Sequence, residues 1–378
     1  MSFNPNLKIG VLGGGQLGRM MIQSAIDFNL DIHVIDPDEN APCKNIGTTF
    51  QKGSLTDYDT VYAFGKDKEL ITIEIENVNT KALKQLEAEG KKVYPQPAII
   101  ELIQNKLHQK EFYKANGIPT ADFTVVNNRE DVAKNEASLP FVNKLATGGY
   151  DGRGVQVIRK ADDLSKAFDA PGFIEDLVDF DKEISVIVAR NEKGDIQTFP
   201  TVEMVFHPEK NLVEYLFSPA EIDSKVEDEA QALAKDLIQK LEMVGLLAIE
   251  MFLTKEGTLL VNEIAPRTHN SGHQSIEGNV TSQFEQHLRA ILNWPLGNTE
   301  NVSPSAMLNV LGEDGYTGEA KYEGMDEVLA TSGVHVHLYG KKLTKPFRKM
   351  GHITITDTDK ERLREKVNFV KAQLKVKA

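Results

Sequence analysis

The 378 residues are enough for two or three domains with large cores, and 40% hydrophobic with 26% charged residues is typical of an ordinary soluble protein. The net charge of −13 at pH 7 argues against a nucleic-acid-binding surface, which needs a basic stripe. The single cysteine, Cys43, excludes an intramolecular disulfide, and no apolar run approaches the roughly 18 residues of a membrane span, so we expect a cytoplasmic protein that binds neither membrane nor nucleic acid.

The first motif is KIGVLGGGQLGRMMIQSAIDFNLDIHVID, residues 8–36, which predicts a strand, a glycine turn, a helix and a second strand. Gly13, Gly15 and Gly18 have the G-x-G-x-x-G spacing of a dinucleotide site, and Asp36 follows at the distance of a ribose-binding acid. The same glycines suit any anion at a helix N-terminus, or simply a tight turn. An NAD site, another phosphate site and a structural turn therefore all stay open.

The rest of the chain predicts α/β structure that changes to antiparallel β structure. LITIEIENV and TKALKQLEAEG continue the alternation of strand and helix, which favours a largely parallel sheet. IIELIQNKLHQKEFYKANGI is predicted as helical, and PTADFTVVN opens a second domain. NTENVSPS, residues 298–305, marks another boundary, after which SGVHVHLYGKKL and GHITITD predict a small β-rich lobe closed by a charged helix from Asp359 to about Lys375.

A glycine-rich loop follows an apolar strand in NKLATGGYDGRGV, residues 143–155. Four glycines lie between Gly148 and Gly154, and Lys144 lies in the strand before them. Such a loop can fold over phosphates with its amides exposed while the lysine supplies a fixed positive charge. The order of a Walker A loop is missing, and a flexible hairpin with a surface lysine is the alternative.

A hairpin with two carboxylates is predicted in AIEMFLTKEGTLLVNEIAPR, residues 248–267. A two-residue turn at Glu256 and Gly257 would place Glu250 directly opposite Glu263. Opposed like charges destabilise a sheet, and burial makes them worse, so a divalent cation would resolve the conflict. Oxygen ligands, with Asn262 adjacent, favour magnesium over zinc. Two solvent-facing glutamates are the alternative.

Polar donors are concentrated in APRTHNSGHQS, directly after this hairpin. Arg267, His269, Asn270, Ser271 and His273 next to a phosphate site indicate a second, negatively charged substrate. The two histidines could instead bind zinc, but no acid or cysteine follows at a standard spacing, and a plain structural loop is the third alternative.

Two weaker patterns remain. FIEDLVDFDKEISVIVAR, residues 173–190, predicts two strands joined by a hinge of the kind that offers backbone groups to an adenine, although any edge strand would look similar. Near the C-terminus, five cations lie together in an otherwise acidic protein and form either an anion pocket or a solvated basic face. They are Lys341, Lys342, Lys345, Arg348 and Lys349.

Seven stretches together closely resemble the 5-(carboxyamino)imidazole ribonucleotide synthetases, ATP-grasp enzymes of purine biosynthesis. They are LGGGQLGRM, ITIEIENV, NKLATGGYDGRGV, EDLVDFDKEISV, AIEMF with VNEIAPRTHNSGH, SQFEQHLRAI and RKMGHIT. The resemblance spans nearly the whole chain and implies α/β and α+β architecture: an N-terminal Rossmann-like (preATP-grasp) domain at 1–105, a two-lobed ATP-grasp domain at 106–297 and a small β-rich C-terminal domain at 298–378.

The resemblance implies an activity and a set of ligands. The chain would use ATP and bicarbonate to carboxylate the amine of 5-aminoimidazole ribonucleotide through carboxyphosphate, with two magnesium ions and with neither NAD nor zinc. The same resemblance implies a homodimer. A related ligase acting on another ribonucleotide, an NAD-dependent dehydrogenase and a non-catalytic nucleotide sensor are the alternatives.

The resemblance also implies four sets of site residues. The catalytic set is Arg267, Asn270, His273 and Lys144, and the metal set is Glu250 and Glu263. The ATP set is Lys106, Lys144, Gly149, Tyr150, Asp151, Gly152, Arg153, Gly154, Val155, Glu175, Asp176, Leu177, Val178, Glu183, His207, Asn262 and Glu263. The ribonucleotide set is Gly15, Gln16, Leu17, Glu74, Glu76, Tyr150, Asp151, Arg153, His273, Lys341 and Arg348.

Two positions depart from the family pattern. Lys106 stands where members often have arginine, and Phe347 stands where they often have glycine, directly before Arg348. Both regions keep a cation, but lysine cannot reproduce the bidentate fork of arginine. The phosphate contact that each region makes is therefore open.

Overall fold

The computed structural model describes residues 7–148, 154–206 and 213–378. In these ranges the chain forms a parallel α/β region, a small antiparallel sheet and a large antiparallel sheet that runs on into the C-terminal part. Across the same ranges, no helix has the length and apolar composition that a membrane crossing requires.

The N-terminal region is a five-stranded parallel sheet, as predicted. Its elements are β1 (Lys8–Leu12), α1 (Gln16–Asp27), β2 (Asp31–Asp36), β3 (Thr49–Lys52), α2 (Tyr58–Gly65), β4 (Leu70–Ile73), α3 (Thr80–Ala88) and β5 (Lys92–Val93). The strand order is β3-β2-β1-β4-β5, so the chain reverses its winding direction between β1 and β4. Open α/β sheets bind ligands at the carboxyl ends of the strands at such a point.

The next segment is helical but consists of two helices. They are α4 (Pro97–Ile103) and α5 (Lys106–Ala115). The side chain of Asn105 separates them, because its Oδ1 accepts from the amides of Leu107 (3.0 Å) and His108 (3.3 Å) and so caps the second helix. The cap also sets Lys106 as the first residue of α5.

A small antiparallel sheet follows. Its elements are β6 (Phe123–Val126), α6 (Arg129–Ala133), β7 (Phe141–Leu145), β8 (Val155–Ile158) and β9 (Gly172–Asp176), with 3-10 turns at Glu136–Ser138 and Ala161–Lys166. The strand order is β6-β9-β7-β8. Because β7 and β9 are neighbours, Val142 lies opposite Glu175 and Lys144 opposite Phe173.

The large sheet forms the centre of the molecule. Its elements, with the helices between them, are β10 (Phe180–Arg190), β11 (Ile196–Thr198), β12 (Val202–Phe206), β13 (Val213–Ser218), α7 (Ser224–Lys240), β14 (Gly245–Thr254), β15 (Leu259–Ala265), the 3-10 turn Asn270–Gly272, α8 (Ser275–Gly278) and α9 (Gln283–Ile291). Helix α7 covers one face, since Ala230, Ala234, Leu237 and Ile238 are buried at helical spacing in one core with Leu247.

The C-terminal part adds strands to this sheet. Its elements are β16 (Ser305–Leu311), β17 (Gly318–Glu319), β18 (Lys321–Glu323), α10 (Met325–Leu329), β19 (Val334–Leu338), β20 (Leu343–Thr344), β21 (Lys349–Thr356), α11 (Lys360–Gln373) and β22 (Lys375–Lys377). The sheet runs β15-β14-β10-β12-β13-β16-β21-β19. Hydrogen bonds thus cross the predicted boundary at 298, and the three domain ranges stay predictions. The charged closing helix is confirmed as α11, capped by Asp359.

We expect Gly172→Ala to destabilise the protein by about 1–3 kcal/mol, because an added Cβ would overlap the backbone carbonyl oxygen of Lys144 on β7, which cannot rotate away. Urea unfolding of both proteins measures the change. Pro171→Ala, at the exposed neighbouring position, is the control and should unfold within about 0.5 kcal/mol of wild type. An unchanged unfolding free energy in Gly172→Ala would show that the two strands can separate there at little cost.

Candidate active site

The two carboxylates of the hairpin face each other, although the turn differs from the prediction. Glu250 of β14 pairs with Glu263 of β15. Near the turn, however, Met251 pairs with Val261, and the strands are joined by residues 255–258 rather than by a two-residue turn. A β-bulge at Asn262 restores the register, so the shift at the turn and the bulge compensate for each other.

The electrostatics of this pair fit a divalent cation. Burial, with the charges of Glu263 and Glu183, raises the pKa of Glu250 to about 8. Burial also raises the pKa of Glu183, on the neighbouring strand β10, to about 7. Both shifts follow mainly from burial, which disfavours the ionised carboxylates unless a cation accompanies them. Hard oxygen donors suit magnesium, which keeps water and phosphate oxygens as its other ligands.

A closed metal site built by the protein alone is not seen in the described ranges. No group of three or more His, Cys, Asp or Glu side chains there is arranged to hold a metal. Glu250, Glu263 and the amide of Asn262 are therefore a partial ligand set, of the kind that magnesium completes with substrate phosphates.

Two lysines flank the carboxylate pair. Lys106, at the start of α5, places its Nζ 2.5 Å from Oε1 of Glu263. Lys144, on β7, donates to Oδ1 of the bulged Asn262 at 3.0 Å and lies 2.5 Å from Oε1 of Glu175. Both predicted phosphate lysines thus lie beside the predicted metal ligands, although they come from different elements.

The hinge residues lie where β9 passes into β10. Asp176 ends β9, and Leu177 and Val178 are the partly exposed residues that follow it. The carboxylate of Glu175 points elsewhere: it is 6% exposed and forms ion pairs with Lys110 and Lys144. Any contact of Glu175 with adenine would therefore use its backbone.

Part of the predicted ATP set lies outside the described residues. These positions are Gly149, Tyr150, Asp151, Gly152, Arg153 and His207. Of the loop, the structure describes Gly154, whose carbonyl accepts from the amide of Leu145 at 2.9 Å, and Val155, which begins β8.

Of the polar residues that follow the hairpin, Arg267 and His269 lie at the site and His273 lies in the core. Arg267 pairs with Glu76, Nη2 to Oε1 at 2.8 Å, and His269 Nε2 lies 3.8 Å from Oε1 of Glu250. His273 is 1% exposed, and its Nδ1 contacts Nε2 of Gln283 at 3.1 Å. His269, which the sequence reasoning left out of the catalytic set, is the histidine nearer the metal pair.

Burial explains the state of both histidines. It lowers the pKa of His273 to about 3 and holds that of His269 well below its ordinary value, so both are neutral near pH 7. The backbone amide of Ser271 donates to Nδ1 of His269 at 3.4 Å, which leaves the proton of this ring on Nε2, toward Glu250. In the sequence, the one feature that indicated a place for His269 near the site was its position two residues after Arg267.

The glycine loop binds two of the protein's own carboxylates. The amide of Gly14 donates to Oδ2 of Asp36 at 2.7 Å, and the amide of Leu17 donates to Oε1 of Glu74 at 3.2 Å. A Cβ at Gly15 would overlap the carboxylate of Glu74, which would have to shift to make room for any larger residue. Burial raises the pKa of Glu74 to about 7. A dinucleotide pyrophosphate would have to displace these carboxylates, which argues against the NAD alternative.

The basic cluster contacts the glycine loop through Lys341. Lys341 Nζ donates to Oε1 of Gln16 at 2.9 Å and to the carbonyl of Lys349 at 2.7 Å. Arg348 Nη1 donates to the carbonyl of Leu343 at 2.7 Å. Phe347 has a φ of 61°, in the left-handed region that favours glycine, so the departure from the family pattern places a bulky residue in a strained backbone conformation.

Contacts link several of the predicted site residues in the described ranges. Gln16 contacts Lys341, Leu17 contacts Glu74, and Glu76 binds Arg267, which follows β15. Strand β15 in turn carries Glu263, which binds Lys106. His273 lies behind this surface rather than on it. The ligand contacts of each residue stay predictions.

Three family models match successive parts of the chain. The ribonucleotide synthetase preATP-grasp domain matches residues 7–104, the ATP-grasp domain matches residues 111–284, and the phosphoribosylaminoimidazole carboxylase C-terminal domain matches residues 305–366. Together they bear out the fold class expected from the resemblance.

Two relatives show how far the similarity extends. The N5-carboxyaminoimidazole ribonucleotide synthase of Bacillus subtilis (strain 168) is 37% identical over 93% of this chain and 91% of its own length. The chloroplastic phosphoribosylaminoimidazole carboxylase of Vigna aconitifolia is 38% identical over 92% of this chain, but the chain spans only 63% of that longer relative.

Solved structures are similar over nearly the full length. The crystal structure of N5-carboxyaminoimidazole ribonucleotide synthetase from Thermotoga maritima has a TM-score of 0.92 at 42% identity, covering 98% of this chain and 99% of that one. The synthase of Aspergillus clavatus, solved with ADP and 5-aminoimidazole ribonucleotide, has a TM-score of 0.89 at 33% identity, covering 97% and 98%. The chain therefore belongs to the ATP-grasp family of N5-carboxyaminoimidazole ribonucleotide synthetases.

Proposed function

We propose that this chain is an ATP-dependent ligase that carboxylates the amine of 5-aminoimidazole ribonucleotide with bicarbonate, releasing ADP and phosphate. The observation that carries the proposal is the opposed pair Glu250 and Glu263 with Lys106 and Lys144 beside it. Such a set binds magnesium and polyphosphate, and a second polar region lies next to it through Arg267.

ATP is proposed to bind between the small sheet and the large sheet. Lys106 and Lys144 would contact its phosphates, the hinge at residues 176–178 would offer backbone groups to adenine, and Glu183 would bind the ribose. Glu250, Glu263 and Asn262 would hold magnesium, which would supply charge neutralisation and orientation of the phosphates. The loop residues from Gly149 to Val155 and His207 complete the proposed ATP site.

The proposed chemistry begins with bicarbonate, which is a poor electrophile. Transfer of the terminal phosphoryl group of ATP to a bicarbonate oxygen gives carboxyphosphate and ADP. The substrate amine then bonds to the carboxyl carbon, phosphate leaves, and the amine loses a proton. Arg267 and Asn270 are the proposed contacts of bicarbonate, since a guanidinium and an amide suit a planar anion. His273, also proposed, would act through the position of this segment, because its ring is in the core.

The ribonucleotide is proposed to lie across the N-terminal and C-terminal parts. Gln16, Glu74, Glu76, Lys341 and Arg348 surround this region, and Tyr150, Asp151 and Arg153 would approach it from the loop. The amides of Gly15 and Leu17 lie against Glu74. The side chains of Lys341 and Arg348 are therefore better placed than these amides to hold a phosphate. We further propose a cytoplasmic homodimer.

A related ligase with another ribonucleotide is the main competing function. It would keep Glu250, Glu263 and Lys144 and differ only at the substrate end. ADP release measured with 5-aminoimidazole ribonucleotide and bicarbonate, together and with each omitted in turn, tests the proposal directly. Full release that needs neither compound would contradict it, and full release with a different ribonucleotide would favour the related ligase.

We expect Glu263→Gln to lower turnover at least about 100-fold, because it removes one of the two charges that hold the cation. The fold should persist, since the side chain of Glu263 is 48% exposed and its ion pair with Lys106 is near the surface. Steady-state ADP release and urea unfolding measure the two effects. Wild-type turnover with an unchanged magnesium requirement would rule out Glu263 as a ligand.

Lys341→Ala combined with Arg348→Ala should raise the KM for the ribonucleotide by about tenfold or more and leave the KM for ATP nearly unchanged, because a 5′-phosphate depends on such cationic contacts. Initial rates with each substrate varied in turn separate the two constants. If the KM for ATP rises instead, the basic cluster belongs to the nucleotide.

Magnesium affinity should increase about tenfold between pH 7 and pH 9, measured at saturating ADP. Glu250, whose pKa is raised to about 8, must lose its proton to bind the cation, and the protonated fraction falls across this window. Calorimetric titration with magnesium at constant ionic strength gives the affinities. A constant affinity between these two pH values would contradict the raised pKa.

A further inference from the structure

Lys110 is a buried lysine that the proposed reaction does not use. It lies on α5 and is 3% exposed. Its Nζ donates to Oγ1 of Thr120 at 2.6 Å and to the carbonyl of Ala121 at 2.8 Å, and it lies 3.0 Å from Oε2 of Glu175. Burying an ammonium group costs several kcal/mol, which these partners offset. A leucine or methionine would fill the same space without that cost.

Glu175 joins this lysine to the phosphate site. Its other oxygen, Oε1, lies 2.5 Å from Nζ of Lys144, and the carboxylate is 6% exposed. Burial alone would raise the pKa of Glu175, but the charges of Lys144 and Lys110 hold it below its ordinary value. One ionised carboxylate is therefore shared by two ammonium groups, one of which faces Asn262 and the metal pair.

The charge of this triad decides what Lys144 can offer to ATP. With Lys110, Glu175 and Lys144 all ionised, the net charge is positive by one. Without Lys110, the negative charge of Glu175 would cancel the positive charge of Lys144 at short range. A buried ion pair with no net charge attracts a polyphosphate only weakly. The second cation is thus the difference between a neutral and a positive triad beside the proposed phosphate site.

We propose that Lys110 is a positioning residue that neutralises Glu175, so that the positive charge of Lys144 stays available to the ATP phosphates. The inference rests on the proposed ATP site. Lys110 lines the same small cavity as Lys144, Asn262 and Glu263. No described hydrogen bond or ion pair joins Lys110 to Glu263 or Asn262, and the described ion pair of Lys110 is with Glu175.

Three variants of the full-length protein test this: Lys110→Met, Glu175→Gln, and the two together. Lys110→Met leaves a neutral triad and should raise the KM for ATP and the Kd for magnesium-ADP about tenfold or more. The KM for the ribonucleotide should stay within about twofold of wild type, because Lys341 and Arg348 lie elsewhere. The double variant restores a net charge of plus one and should recover ADP affinity to within about threefold of wild type.

Lys68→Met is the matched control. Lys68 is also buried, at 6% exposed, lies 2.6 Å from Asp67 and lies over the ring of Phe64 at 5.1 Å, but it belongs to the N-terminal region. Its replacement tests what losing a buried, paired lysine does to the fold alone. ADP affinity should be unchanged in this variant, and thermal unfolding of all four variants reports the structural cost separately.

Each outcome bears on the inference. Wild-type ADP affinity in Lys110→Met overturns it, and so does a double variant that binds ADP as weakly as Lys110→Met, which would indicate a purely structural role. If Lys110→Met does not fold, Glu175→Gln decides, because a triad with two cations should bind ADP at least as tightly as wild type. Weaker ADP binding by Glu175→Gln than by wild type would overturn the inference. Failure of the wild-type protein to bind ADP would instead refute the proposed function.

Discussion

Repulsion between carboxylates is the constraint around which the central part of this protein is organised. Glu250 and Glu263 are held face to face by the register of β14 and β15, and Glu183 approaches from β10. A hairpin alone would not hold them there, since like charges directly opposite destabilise a sheet. The large sheet does so by packing β14 against the core beneath α7, which makes the geometry costly to relax.

The offsetting cations come from elements far apart in the chain. The cap at Asn105 starts α5 at Lys106, the small sheet brings Lys144 to the bulged Asn262, and α5 also carries the buried Lys110. Two of these cations, Lys106 and Lys144, thus lie at the site, and the third, Lys110, lies behind it. This arrangement suits a site whose ligands, magnesium and a polyphosphate, are themselves highly charged.

In the N-terminal region, carboxylates bind the amides of the glycine loop. The glycine loop after β1 has the spacing of a dinucleotide site, yet its amides donate to Asp36 and Glu74. One amide of the first helical turn, that of Leu17, is therefore satisfied from within the protein. The continuation of the large sheet through β16 to β21 then brings Lys341 to Gln16, so that the loop forms one wall of a region shared by both ends of the chain.

The sequence by itself determined the element types, the parallel N-terminal sheet and the charged closing helix, because these depend on local periodicity and on residue type. The metal role of Glu250 and Glu263 stays a prediction. The opposition of the two glutamates was predicted correctly from an incorrect turn, since a bulge at Asn262 compensates for the longer connection. The tertiary structure alone decided which of His269 and His273 faces the site, what the glycine loop binds and which groups surround Lys110. Those outcomes depend on packing between segments that are distant in the sequence. Burial and the charges of neighbouring groups act there over a few ångströms, and such contacts produce no periodic pattern in the sequence.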